Sequence, residues 1–237
     1  MEVNSFWHGK SLTNLEILCI SSFIKNGIGY NLHVYDVPLG VPREVVLKDA
    51  ADILPRAKMF RYKAGNFNVG SVAGFSNHFR YTLIERIGGW WTDTDLCCLK
   101  PFSCDSDEVY SQQPAKDGAF SVGTALFKAP AGSPVLRYCL DLFSRKDVAK
   151  IVHGETGPRL LTEAVLACHK RDRVVGPELF CPVAWWDYER LLVDETLSLD
   201  GCSTAHFYNA MIISSGLDKD AVFPAGASFE QLKKKYL

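Results

Sequence analysis

No apolar run in this 237-residue chain approaches the roughly 20 residues of a membrane-spanning helix. The opening Met1-Glu2-Val3-Asn4 is acidic and polar, unlike a secretory signal, and a cytoplasmic protein is expected. Neither sign of charge is in excess. Lys and Arg number 26 and Asp and Glu 27, a net charge of −1, so the basic stripe of a nucleic-acid binder is missing. None of the eight cysteines (Cys19, Cys97, Cys98, Cys104, Cys139, Cys168, Cys181 and Cys202) forms a C-x-x-C pair. Without a signal they read as buried, reduced thiols. There is no internal repeat, low-complexity tract or Ser/Gly linker. There is also no P-loop, which weakens a reading as a phosphoryl-transfer enzyme.

What is present is a 47% hydrophobic chain, long enough for one sizeable core. Helix-period and strand-like stretches alternate, which predicts an α/β domain. Residues 5–7 read as a short first strand. Leu15, Leu18, Cys19 and Ser22 share one face of a helix that Gly27 and Gly29 stop. Leu32 and Val34 alternate with His33 and Tyr35 in a second strand ending at Asp36. Residues 43–54 are expected to be helical. Ser76 is expected to cap a helix with the stripe Phe79, Leu83, Ile84 and Ile87, ended by Gly88-Gly89. Residues 120–127 read as a strand and 134–143 as a helix. Thr156-Gly157-Pro158 opens another helix, with Pro in a favoured first-turn place, and its stripe is Leu161, Ala164, Val165 and Cys168.

The chemistry concentrates at Trp90-Trp91-Thr92-Asp93-Thr94-Asp95-Leu96-Cys97-Cys98-Leu99. Aspartates are depleted in strands and costly to bury. Two of them in core-like sequence make sense if they leave the end of a strand and meet a cation. Residues two apart in extended chain point to one face. Both acids can then bind one ion, or one binds the ion while the other holds ribose or a metal-bound water. Such oxygen ligands suit Mn²⁺ or Mg²⁺.

Phe75-Ser76-Asn77-His78-Phe79-Arg80-Tyr81, followed by Gly88-Gly89-Trp90-Trp91-Thr92-Asp93-Thr94-Asp95, resembles the sugar-binding D-x-D region of glycosyltransferases. Similar proteins include the capsular-polysaccharide and outer-chain mannosyl transferases, the α-galactosyltransferases and the large clostridial glucosylating toxins. Trp7-His8-Gly9, residues 31–36, Thr156-Gly157-Pro158 and Ala205-His206-Phe207-Tyr208-Asn209 also resemble segments of that family. The resemblance implies a single GT-A domain over 1–237, a Rossmann-like mixed sheet flanked by helices. About 1–102 would be the nucleotide-binding half and about 103–237 the sugar and acceptor half. It implies a hexosyltransferase that moves sugar from a UDP- or GDP-linked donor to an acceptor hydroxyl with retention, in glycan or polysaccharide synthesis.

The resemblance also implies roles. Asp93 and Asp95 join Arg80 in the reaction, and Asp95, Asp93 and the late-chain His206 hold Mn²⁺ (or Mg²⁺). Trp7, Asp36, Asn77, Arg80, Asp93 and Thr94 contact the donor. Asn77 stands where many relatives carry an aspartate, which motivates an alternative: a catalytically degenerate sugar-nucleotide-binding module. For Arg80 the other reading is an ion pair with Glu85 or Asp93. Glu155 and Asp187, the latter after Trp185-Trp186, are candidates for the acceptor side. The expected acceptor is a glycan or lipid-linked sugar. Phe229, Leu232, Tyr236 and Leu237 beside Lys233-Lys234-Lys235 form a short basic amphipathic end, which suits either weak peripheral membrane contact or a helix packed on the domain with its Lys face in solvent.

Overall fold

The first strand, β1 (Glu2–Trp7), is longer than residues 5–7 and lies inside a seven-stranded sheet. A computed structural model describes residues 1–63, 65 and 67–237. After β1 comes α1 (Asn14–Lys25), whose first turn is fixed by Thr13 N–H donating to the Glu16 carboxylate at 2.8 Å. Gly27, at φ +77°, ends that helix. β2 (Gly29–Val34) pairs with β1 in parallel, Glu2 opposite Gly29 and Trp7 opposite Val34. Both strands are buried along most of their length, as parallel strands covered on two faces must be.

Residues 43–54 do not form the expected helix. They contain the edge strand β3 (Val46–Asp49), parallel to β2, and a 3₁₀ turn Ala50–Asp52 that Asp49 caps through Ala51 N–H. The β-branched Val46 and the open edge of β2 outweigh the local helical pattern. The next helix, α2 (Ala73–Ile87), starts before Ser76, so Ser76 lies in its first turn instead of capping it. Gly74 lets this first turn pack closely, because a Cβ there would stand 2.9 Å from both Phe60 and Tyr62. Gly88 stops α2 at φ +69°, with the Ala131 amide 2.8 Å from where a Cβ would be.

β4 (Gly89–Thr92) returns beside β1, parallel to it, with Asn4 opposite Trp91. The acids leave the end of β4, as expected, and β5 (Leu96–Cys98) beyond them leaves the main sheet. β6 (Val109–Gln112) and β7 (Val122–Ala129) are antiparallel to one another, and β7 is antiparallel to β4. Then follow α3 (Pro134–Ser144), a π-type turn Glu155–Arg159, α4 (Leu160–Ala167) and the short β8 (Val174–Val175). β9 (Thr204–His206) pairs with β5 in a separate two-stranded sheet. α5 (Asn209–Ser215) and α6 (Ser228–Tyr236) close the chain. The main order is β3-β2-β1-β4-β7-β6-β8, a mixed sheet flanked by helices and shared by both halves of the sequence.

One face of the sheet is covered by α2, α3 and α4 around Phe75, Phe79, Trp91 and Leu161. On the other side α6 joins α1, and its Phe229, Leu232 and Tyr236 are buried against Leu15, Leu18 and Phe207. The C-terminal helix is thus packed on the domain, the alternative to a lipid-facing end. Its apolar face is spent on the core, Lys233 pairs with Glu230, and Lys235 donates to the Leu99 carbonyl. Among the described residues no helix is long and apolar enough to cross a membrane. All eight cysteines are free thiols, and six are buried, as expected.

His33, on β2, is 5% exposed, and burial pulls its pKa down to about 4. The folded form therefore holds it neutral, whereas the unfolded chain takes a proton near 6.5. Its contribution to stability is complete above pH 6.5 and is lost as pH falls toward 4. Urea denaturation at pH 7 and 4.5 is expected to show an acid loss about 2 kcal/mol smaller in His33→Gln than in the unmodified protein.

Candidate metal and donor site

The strand order places the site. Going outward from β1, β2 and β3 lie to one side and β4 to the other, so the direction of winding reverses between β1 and β4. In open α/β sheets ligands bind at the carboxyl ends of strands at such a switch point. Trp7 ends β1, and Asp93-Thr94-Asp95 leave the end of β4, so both lie at the same end of two parallel neighbouring strands.

The acids sit in a turn, not in the extended strand that the two-residue spacing suggested. Asp93 N–H donates to Ala125 O at 2.8 Å and Leu96 N–H to Asp93 O at 3.3 Å, closing the turn between β4 and β5. In the small sheet Leu96 faces His206, which sets the imidazole beside Asp95. Ligand atoms of Asp93, Asp95 and His206 all lie within 4.8 Å of one another. His206 Nε2 is 3.3 Å from Asp95 Oδ2, which also accepts the Asn209 backbone N–H at 2.7 Å.

Burial works against both charges of the Asp95–His206 pair, yet their mutual attraction and hydrogen bond outweigh it. The Asp95 carboxyl is held down to about 2, and the imidazole is pushed up to about 10. A group of charged, partly buried side chains poised in this way is typical of functional sites. Two carboxylates and one imidazole fit Mn²⁺, and fit Mg²⁺ through the oxygens. A cation there would take the place of the imidazolium proton as the partner of Asp95.

Asp93 is held differently. Its Oδ1 accepts Trp91 Nε1–H at 2.9 Å and faces Arg80 Nη1 at 2.8 Å. Arg80 is 5% exposed. Its guanidinium also donates to Thr124 O at 2.6 Å and to Ser76 O and Oγ, and lies over the Trp91 ring at 4.8 Å. The ion pair with Asp93 is thus formed, while Glu85 pairs with Arg137 instead. These contacts hold the guanidinium in place beside Asp93 and over the Trp91 ring.

The structure brings the other expected residues together unevenly. Trp7 is half-buried, and its Nε1–H is buried with no hydrogen-bond partner among the described residues. Gly9 packs on its ring, where a Cβ would stand 3.0 Å from Nε1. Asn77 is buried and donates to Thr156 Oγ1 at 3.3 Å, so the helix motif and the Thr156-Gly157-Pro158 segment meet. Thr94 is buried between the two acids in sequence. Asp36 is exposed and pairs with Arg56 at 2.7 Å. Glu155 is engaged by Lys146 at 2.6 Å and by Val152 N–H. Asp187 is exposed after Trp185 and Trp186, whose rings lie 4.8 and 5.9 Å from Lys116 Nζ.

Trp91, Thr124, Tyr208 and Asn209 take part although the sequence assigned them no role. A Trp two residues before Asp93 and the Phe207-Tyr208-Asn209 run after His206 were the available signals.

No family model matches the chain, and no curated protein matches it in sequence. Among solved structures it is similar to the PaToxG glycosyltransferase, at 12% identity and a TM-score of 0.48, over 99% of this chain and 84% of that one. It is also similar to a transferase solved as a mutant, at 11% identity and a TM-score of 0.44, over 70% of this chain and 84% of the other. At these scores neither neighbour adds to what the site itself shows.

Proposed function

We propose that this chain is a metal-dependent glycosyltransferase that takes a hexose from a UDP- or GDP-linked donor and passes it to an acceptor hydroxyl with retention. The observation that carries the reading is the gathering of Asp93, Asp95 and His206 donor atoms within 4.8 Å beside the β1/β4 switch point. Asp95 and His206 would hold a divalent cation with Asp93. Bound there, the cation supplies Lewis-acid neutralisation of the departing nucleoside diphosphate. Trp7, half-buried at the end of β1, would pack its indole against the nucleotide base. Asp93, fixed by Arg80 and Trp91, has its orientation set before substrate arrives, which lowers the reorganisation needed in the reaction. Asn77 and Thr94 complete the donor side. In this reading Asp187 with the Trp185-Trp186 pair, and Glu155, would line an acceptor side that takes a glycan or lipid-linked sugar.

A second reading, a sugar-nucleotide binder without turnover, is favoured by Asn77, whose amide is bonded to Thr156 where relatives carry a charged group. Both readings require donor binding. Thermal shift with Mn²⁺ and a panel of UDP- and GDP-sugars is expected to raise Tm by several degrees for at least one donor. A hundredfold excess over Kd corresponds to about 2.7 kcal/mol. No shift with any nucleotide sugar or with UDP and GDP would remove the donor reading. Release of free sugar then separates enzyme from binder.

A further inference from the structure

The chain from His206 to Asn209 is folded around Asp95. Phe207 N–H donates to Asp95 O at 2.9 Å, and Asn209 N–H donates to Asp95 Oδ2 at 2.7 Å. Between them Tyr208 is left-handed, φ 53° and ψ 59°, a region that side chains with a Cβ avoid. It is held there by its hydroxyl, which donates to Val183 O at 2.8 Å with Cys181 Sγ 2.9 Å away, and by its ring, 4.0 Å from that of His206. A backbone kept in a disfavoured region by several contacts points to a role for what it presents, and what it presents is Asn209.

Asn209 Oδ1 is buried and, among the described residues, has no hydrogen-bond partner. Unsatisfied buried acceptors are rare and costly, so each asks for an explanation. This oxygen belongs to the residue whose own amide touches Asp95, so its side chain starts within one residue's reach of the acid cluster. Hard divalent cations accept amide oxygens as well as carboxylates. We propose that Asn209 Oδ1 is a further ligand of the cation held by Asp93, Asp95 and His206; this rests on the metal reading above. The amide suits the position because it is neutral. Two carboxylates already balance a divalent charge, and a third would repel the donor's diphosphate. Asn209 thus adds a ligand without weakening the cation's attraction for substrate.

The test is calorimetric titration of Mn²⁺ alone into the metal-free protein and into Asn209→Ala, Asn209→Asp and Asp95→Asn, followed by UDP titration of the Mn²⁺-loaded forms. Alanine keeps the backbone N–H to Asp95, so metal-free Tm should stay near that of the unmodified protein. Asn209→Ala is expected to weaken Mn²⁺ binding about tenfold. Asn209→Asp should bind Mn²⁺ at least as tightly as the unmodified protein and bind UDP more weakly once loaded. Unchanged Mn²⁺ affinity in Asn209→Ala, with Asp95→Asn showing loss, would overturn the role of Asn209 alone. Unchanged affinity in Asp95→Asn would overturn the cation site itself, and Asn209 with it.

Discussion

Asp95→Asn is expected to lower Mn²⁺ affinity about 100-fold and turnover by about 1,000-fold, with the fold intact. The reason lies in what each atom touches. Asp95 Oδ2 joins His206 and the Asn209 amide, so it ties the turn after β4 to the end of β9. An amide in its place keeps the volume and accepts the same backbone bond but removes the charge a cation needs. His206→Ala should cost less, about tenfold in affinity, because imidazole is one ligand beside two acids. Asp93→Asn should weaken donor binding together with metal binding. Calorimetry with UDP present, run beside circular dichroism of each variant, checks all three. Wild-type affinity in Asp95→Asn would disprove the assignment.

Arg80→Lys is expected to lower turnover about 10- to 100-fold and stability by about 2 kcal/mol. The guanidinium serves Asp93, Thr124 and Ser76 at once while lying on Trp91. A lysine keeps the charge but cannot span those partners. Arg80→Ala is harsher, about 3 kcal/mol or more, because the Thr124 carbonyl and Asp93 Oδ1 lose a buried partner. Thermal melts and steady-state kinetics of the lysine variant give the reading. If its turnover matched that of the unmodified enzyme at equal folded fraction, Asp93 would not depend on Arg80 for its placement.

Much of the fold could be read from periodicity and punctuation. α1 and α4 followed from their apolar stripes, although α4 starts at Leu160 after a turn in which Gly157 is non-helical, and Gly88-Gly89 marked the end of α2 because only glycine takes Gly88's conformation against the Ala131 amide. Residues 43–54 misled because an edge strand is decided by its neighbour's open hydrogen bonds, which local sequence does not display. The same limit applies to β9, three residues long, which exists through pairing with β5. In the site, Asp93, Asp95 and His206 were legible as residue types, and their meeting follows from Leu96 opposing His206 across 110 positions. The turn that carries the acids was not legible, nor was the left-handed Tyr208 that delivers Asn209. Arg80's importance and its pairing with Asp93 were legible, but Thr124 was not, since it contributes a carbonyl that any residue would have.

Sugar transfer from a nucleotide between the ends of β1 and β4, with the help of a divalent cation, can be seen on the donors themselves. Proton NMR of UDP- and GDP-hexoses incubated with the protein, with Mn²⁺ and with chelator, tests it most directly. At least one donor should release free hexose and nucleoside diphosphate with Mn²⁺, chelator should stop the release, and Asp95→Asn should not support it. Release that continued at full rate in chelator or in Asp95→Asn, or a panel left intact under every condition, would contradict the proposed function.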